Sequence, residues 1–189
     1  MIAFSDLSAK GQMILDGDFM RLNTMASKEE MKFLYSLMVM GGSALAVADQ
    51  YDTAGDALEI YQNREMIELN NLGFFAKPLS RKISSEKSSR WVGQLPDGDF
   101  VVGLFNREGN AVTSGIDFFG ELGIETGVAE NVRDLWSHQD LGPMNAGFSC
   151  QLEPHTCMVI RIRPKGKHRF QAEFASPRGG ATTNIAEEK

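Results

Sequence analysis

The sequence has only two cysteines among its 189 residues, too few to define a disulfide scaffold. Basic residues are outnumbered, with 19 lysines and arginines against 25 acidic residues and a net charge of −6. That balance argues against nucleic acid as a partner, because phosphate binding needs a concentrated basic surface. No apolar run approaches the roughly 20 residues that span a bilayer, so no membrane partner is expected. The opening Met1–Asp6 lacks the basic and apolar regions of a signal peptide, which leaves location open if more chain precedes it. His138, His155 and His168 lack zinc-ligand spacing, and no serine sits in a Gly-x-Ser-x-Gly elbow. Asp16-Gly17-Asp18 superficially resembles part of a calcium loop but lacks the further ligands and the closing glutamate. Neither a metal nor another cofactor is expected, and there is no internal repeat.

With 42% hydrophobic and 23% charged residues, the composition is globular and sufficient for a sizeable core. The first seventy residues alternate strand and helix. Gln12 to Leu15 reads as a short buried strand. Ser27-Lys28-Glu29-Glu30 fits a capping box, the serine accepting from the Glu30 amide while Glu30 reaches back to the serine. Met31, Leu34, Tyr35 and Met38 follow at helical spacing, with Phe33, Leu37 and Met40 widening the apolar face. Gly41-Gly42 ends that helix. Ser43 to Ala48 is apolar on both faces, as a parallel strand covered by helices should be, and Asp49 closes it. Short helices are predicted around 54–61 and 64–70, the second capped by Asn63.

Beyond about Gly73 the pattern changes to short runs of β character punctuated by turns such as Pro96-Asp97-Gly98 and Glu108-Gly109-Asn110. The runs are 90–95, 99–106, 111–118, 128–136, 146–152 and 156–163. Met158, Ile160 and Ile162 alternate with Val159, Arg161 and Arg163, predicting one buried face. Six such runs without an intervening helix predict an antiparallel β-sandwich. Ser80–Ser89 reads as a polar connector or exposed edge. If Glu153-Pro154 is a two-residue turn, Cys150 and Cys157 oppose each other on paired strands. A bridge is then geometrically conceivable, but two buried free thiols are the expectation. After Pro164 the chain is basic and then poor in apolar residues, as in a disordered tail or linker, although Phe170 and Phe174 suit one more strand.

Asp16 and Asp18 are the best candidates for chemistry. Residues two apart on a strand project to one side, so both carboxylates suit one cavity, and Asp49 ends the next parallel strand on the same face. Converging carboxylates suit glycoside hydrolysis, one as proton donor and another as nucleophile or base. The plainer account is a turn at Asp-Gly-Asp and a helix cap at Asp49, and spacing alone favours it. Trp91 and Trp136 are expected in the sandwich core rather than on a sugar-stacking platform.

The ordered series Val132–Gly142 (VRDLWSHQDLG), Phe148, Leu152–His155 (LEPH) and Met158–Ile162 (MVIRI) resembles the C-terminal domain of melibiase-family α-galactosidases, in clan D of the glycoside hydrolases. Trp91 to Asn106, with Asp97-Gly98 and Val101–Asn106 (VVGLFN), is similar to the strand–turn–strand opening that domain, and Asn63–Asn70 (NREMIELN) to the segment after the last barrel strand. The resemblance runs from about Gly11 to Pro164. It implies the end of an incomplete (β/α)8 TIM barrel over 1–76, an antiparallel β-sandwich over 77–164 and a tail over 165–189. It further implies a fragment of a retaining hydrolase of terminal α-galactosides, with galactoside or a related glycan as partner. Asp18 falls on the family's galactose-binding aspartate, with Asp16 supporting the pocket. The nucleophile and acid/base fall before residue 1, so no catalytic residue is assigned here and the chain alone is expected to be inactive. Gly17 and Ala44 stand where the family has proline, and Leu15 where it has asparagine. Those departures leave α-galactosidase, N-acetylgalactosaminidase and β-arabinopyranosidase parents open. The alternative is a non-catalytic carbohydrate-binding or structural sandwich module.

Overall fold

The computed structural model describes residues 13–166. Gln12 and the tail beyond Gly166, with Phe170 and Phe174, lie outside the described residues. Three helices come first: α1 (Lys28–Met40), α2 (Ala57–Tyr61) and α3 (Arg64–Asn71). Eight strands follow: β1 (Lys77–Pro78), β2 (Arg90–Gln94), β3 (Phe100–Phe105), β4 (Val112–Asp117), β5 (Val128–Asp134), β6 (Gln139–Asn145), β7 (Gly147–Leu152) and β8 (Cys157–Pro164). Six form one antiparallel sheet in the order β1-β2-β3-β8-β5-β6, and β4 pairs with β7 in a second.

The α1 helix starts as its sequence predicts. Ser27 Oγ accepts from Glu30 N at 3.1 Å, while Glu30 Oε2 reaches one residue further back than expected, accepting from Ala26 N at 3.0 Å. After α1 the chain reverses through Gly42 at φ +66°, where a Cβ would lie 2.8 Å from Phe75 Cβ. Asn63 caps α3, accepting from Met66 N at 3.1 Å, and its amide also donates to Leu135 O at 2.9 Å. One side chain thereby ties the helical layer to the sheet.

All six residues of β3 are buried, and they divide between two cores. Val101 and Phe105 join Trp91, Leu135 and Val159 against Tyr35, Val39 and Met40 of α1. Val102 and Leu104 join Val92, Ile160 and Ile162 against Ile116 and Phe118 from the small sheet. This is the period-two alternation of strands with both faces covered. It corrects the one-faced reading of β8, because Val159 packs beneath α1 while Ile160 packs beneath β4. Gly93 of β2 lets the helical layer approach: a Cβ there would sit 2.5 Å from Phe74 Cε2 and 2.6 Å from the Phe75 carbonyl oxygen. Ring atoms can swing away, but that carbonyl cannot. Gly93→Ala is expected to cost about 1–3 kcal/mol, as overpacking does, read as a lowered urea midpoint with an unchanged slope.

The hairpin expected across Glu153-Pro154 does not form. Strand β7 lies in the small sheet and β8 in the large one, so Cys150 faces Ser114 and Cys157 faces Phe105 across their respective ladders. Both thiols are free. Cys157 Sγ lies 3.4 Å from Ser36 Oγ beneath α1, and burial pushes its thiol up to about 12. Within 80–89, Glu86–Ser89 forms a short 3-10 turn with Ser88 buried, rather than a wholly exposed connector. Residues 13–15 form no strand, and the strand expected at 43–48 reduces to one parallel bridge of Val47 with Met20. Extended segments persist as strands where neighbours pair with them, and the 43–48 segment has one such neighbour among the described residues.

Candidate functional site

The segment 13–20 carries the two aspartates singled out by sequence. Gly17 N donates to Ser43 Oγ at 2.8 Å, fixing the aspartate loop to the start of the 43–48 segment. Asp16 Oδ1 accepts from Asp18 N at 2.8 Å, so Asp16 shapes the loop that presents Asp18. Asp18 is exposed and left-handed at φ +66°, and its Oδ1 accepts from Phe19 N at 2.8 Å. A non-glycine residue in this region is uncommon, and aspartate is among those that tolerate it. The arrangement is the Asp-Gly-Asp turn of the plainer account, yet it leaves Asp18 Oδ2 open to solvent and able to accept from a ligand hydroxyl.

Asp49 does not join them. Parallel pairing of Met20 with Val47 runs both segments the same way, so Asp18 precedes the bridge and Asp49 follows it, at opposite ends. Instead Asp49 Oδ2 accepts from Tyr61 Oη–H at 2.7 Å and from Asn23 N at 3.3 Å. Tyr61 Oη in turn accepts from Leu22 N at 3.3 Å. Burial and the Asp49 carboxylate both push the Tyr61 phenol well above its ordinary range, so it remains a donor. Asp49 is thus a brace between α2 and the chain leaving the bridge. Nothing in the spacing of Tyr61, Asn23 and Asp49 could have announced that triad.

Around the bridge, Met13, Ile14, Phe19, Val47 and Tyr51 are exposed apolar side chains, Ile14 at 79% and Tyr51 at 96%. Two buried acceptors, Asp49 Oδ1 and Asn23 Oδ1, have no hydrogen-bond partner among the described residues. Both features are costly in water-facing, isolated form. Trp91 is 1% exposed, and Trp136 is half-buried with its Nε1–H donating to Ser36 Oγ at 2.9 Å. Neither offers a flat face for a sugar to stack on. Among the described residues, no group of three or more His, Cys, Asp or Glu could hold a metal ion, and no helix is long and apolar enough to cross a membrane.

Residues 85–162 match the family model described as the alpha galactosidase C-terminal beta sandwich domain. The chain is 44% identical over 192 residues to isomalto-dextranase of Arthrobacter globiformis, an alignment covering 96% of this chain and 30% of that protein. The structure of that protein complexed with panose matches at TM-score 0.79 and 43% identity, over 88% of this chain and 29% of the other. Alpha-galactosidase 3 of Arabidopsis thaliana is 28% identical over 143 residues, covering 72% of this chain and 32% of that protein. Alpha-galactosidase I of Mortierella vinacea shares the fold at TM-score 0.70 and 20% identity, over 89% and 44% of the two chains. The chain therefore spans about a third of the curated relatives it matches.

Proposed function

On the premise that this chain corresponds to the C-terminal portion of an α-galactosidase-type protein, whose relatives are glycoside hydrolases, we propose that it forms one wall of a sugar pocket and the buttress behind it. Residues 1–76 act as the closing part of a (β/α)8 barrel and 77–164 as the sandwich packed against it. The hydrolysis itself is a retaining double displacement through an oxocarbenium-like transition state, carried by two carboxylates about 5–5.5 Å apart on earlier barrel strands. In this reading Asp18 accepts from sugar hydroxyls, and Asp16 holds the loop that aims it.

The observation that carries the proposal is the apolar surface of Ile14, Phe19 and Val47 beside the single Met20–Val47 bridge. Open edges and exposed apolar side chains of this kind call for neighbouring strands, and barrel closure supplies them. The orphaned oxygens of Asp49 and Asn23 need donors that the described residues do not supply. The sugar is a dextran-type α-linked glucan, since the relative aligned over 96% of the chain is an isomalto-dextranase, solved with panose. Gly17, Ala44 and Leu15 depart from the galactosidase pattern, which leaves the exact sugar open to readings other than galactose. The second reading, terminal α-galactosides, draws on the matched domain and the plant α-galactosidases.

The purified 189-residue chain is expected to release no sugar from dextran and no nitrophenol from nitrophenyl α-galactoside. Robust turnover of either would place the reactive carboxylates within this chain and overturn the proposal. In a full-length relative, alanine at the position aligned with Asp18 is expected to cut kcat/KM about 10- to 150-fold, the worth of a charge-assisted hydrogen bond of about 1.5–3 kcal/mol. An unchanged rate would remove Asp18 from the pocket. Comparing dextran with an α-galactoside in that enzyme separates the two substrate readings.

A further inference from the structure

A groove of about 500 Å³ lies at one end of the sandwich, between the segment 83–89, the chain leaving β3 and the strand β4. It shares no residue with the Asp16–Asp18 loop, and its size falls within the roughly 300–1,000 Å³ of small-molecule sites. Its two arginines are committed to building it. Arg107 donates through Nε to Ser89 Oγ at 3.0 Å and through Nη2 to Ser88 Oγ at 2.8 Å and Ile83 O at 3.1 Å. Arg90 Nη1 donates to Gly115 O at 3.0 Å and to Glu121 Oε2 at 2.8 Å, pinning the β2 start to the unpaired edge of β4.

What remains available is of a different kind. Ser84, Thr113, Ser114, Glu86 and Glu108 line the same groove, and their side chains have no hydrogen-bond partner among the described residues. Among the described residues strand β4 pairs with β7 alone, so its other edge, apart from the Gly115 carbonyl held by Arg90, adds main-chain donors and acceptors. Two lining arginines balance two lining glutamates, which removes the attraction for phosphate or another polyanion. Mixed hydroxyl, carboxylate and peptide groups instead match a ligand whose every polar group both donates and accepts, which is the property of a polyhydroxylated chain. Ile83, exposed and also lining the groove, offers an apolar surface to the face of such a ring.

We infer that this groove is a second glycan-binding site that holds a neutral oligosaccharide segment of the polymer away from the bond being cleaved. The choice of glycan as ligand rests on the proposed hydrolase function, while the groove itself does not. Without an aromatic platform the affinity is expected to be low.

The test is an amide NMR titration of the ¹⁵N-labelled 189-residue chain with isomaltotriose, repeated with galactobiose and with an extended Thr/Val hexapeptide. Saturable shifts on either oligosaccharide, confined to residues 83–90 and 105–115, are expected. Glu108→Ala with Thr113→Ala, both on the exposed surface, is expected to weaken them at least fivefold while leaving the remaining amide spectrum in place. No saturable shift in the groove with either sugar would overturn the inference, as would shifts of undiminished affinity in the double variant. Shifts along β4 with the peptide and not the sugars would overturn it in favour of an added strand. Because the readout is binding at 83–115, it stands or falls separately from the turnover and Asp18 measurements.

Discussion

Trp91→Ala is expected to destabilise the chain by about 3–5 kcal/mol, the range for truncating a large buried aromatic. Trp91 is 1% exposed and sits on the face of β2 that meets the helical layer, in one cluster with Tyr35, Val39 and Val101. Its β-strand position is fixed by the Trp91–Gly103 and Trp91–Pro78 pairings on either side, so the backbone cannot collapse to fill the space. For a chain of this length each kcal/mol shifts Tm by about 2–4 °C, giving a fall of roughly 6–20 °C. Thermal denaturation followed by circular dichroism reads it directly. A fall below 3 °C would mean that the helical layer is not anchored on this side chain.

Glu65→Gln is expected to lower stability by about 1.5–3 kcal/mol at neutral pH, the worth of charge-assisted hydrogen bonds lost. Glu65, at the first turn of α3, takes a two-pronged bond from Arg133 of β5, Nε to Oε2 at 2.8 Å and Nη2 to Oε1 at 2.9 Å. His138 Nδ1 lies 2.6 Å from the same Oε1. Burial alone would raise the Glu65 carboxyl, but the bonds from Arg133 and His138 outweigh it and hold the group below its usual 4.5. A lowered folded value means that this contribution is present above about pH 4.5 and is lost as pH falls through the folded value. Urea midpoints between pH 7 and pH 3 should therefore drop less steeply in Glu65→Gln than in the parent. Parallel pH curves would show that the pair contributes nothing at this junction.

The sandwich was largely legible in the sequence because its signals are local. Short runs of β character at 100–105 and 157–164, and turn residues at 96–98 and 108–110, mark strand ends within a residue or two. Strand β6 escaped because Gly142-Pro143 interrupts it, a combination a central strand excludes but an edge strand paired only with β5 accepts. The division of strands between two sheets was not legible, since β7 and β8 are separated by a turn that suits either a hairpin or a crossing. That ambiguity produced the mistaken opposition of Cys150 and Cys157. At the candidate site, the sequence singled out Asp16 and Asp18 but grouped Asp49 with them. Its actual partner, Tyr61, lies twelve residues away on α2, and no periodicity encodes a hydroxyl reaching back to a strand end.

Strand β3 has the helical layer on one side and the small sheet on the other, and neither covering can be removed without wetting one face of the same buried strand. Cutting the chain between Ala76 and Lys77 would bare Trp91, Val101, Phe105, Leu135 and Val159 together. The proposed border between residues 1–76 and 77–164 is therefore not a seam along which the polypeptide separates. Melting of either flank should drag the other with it, as a single cooperative event.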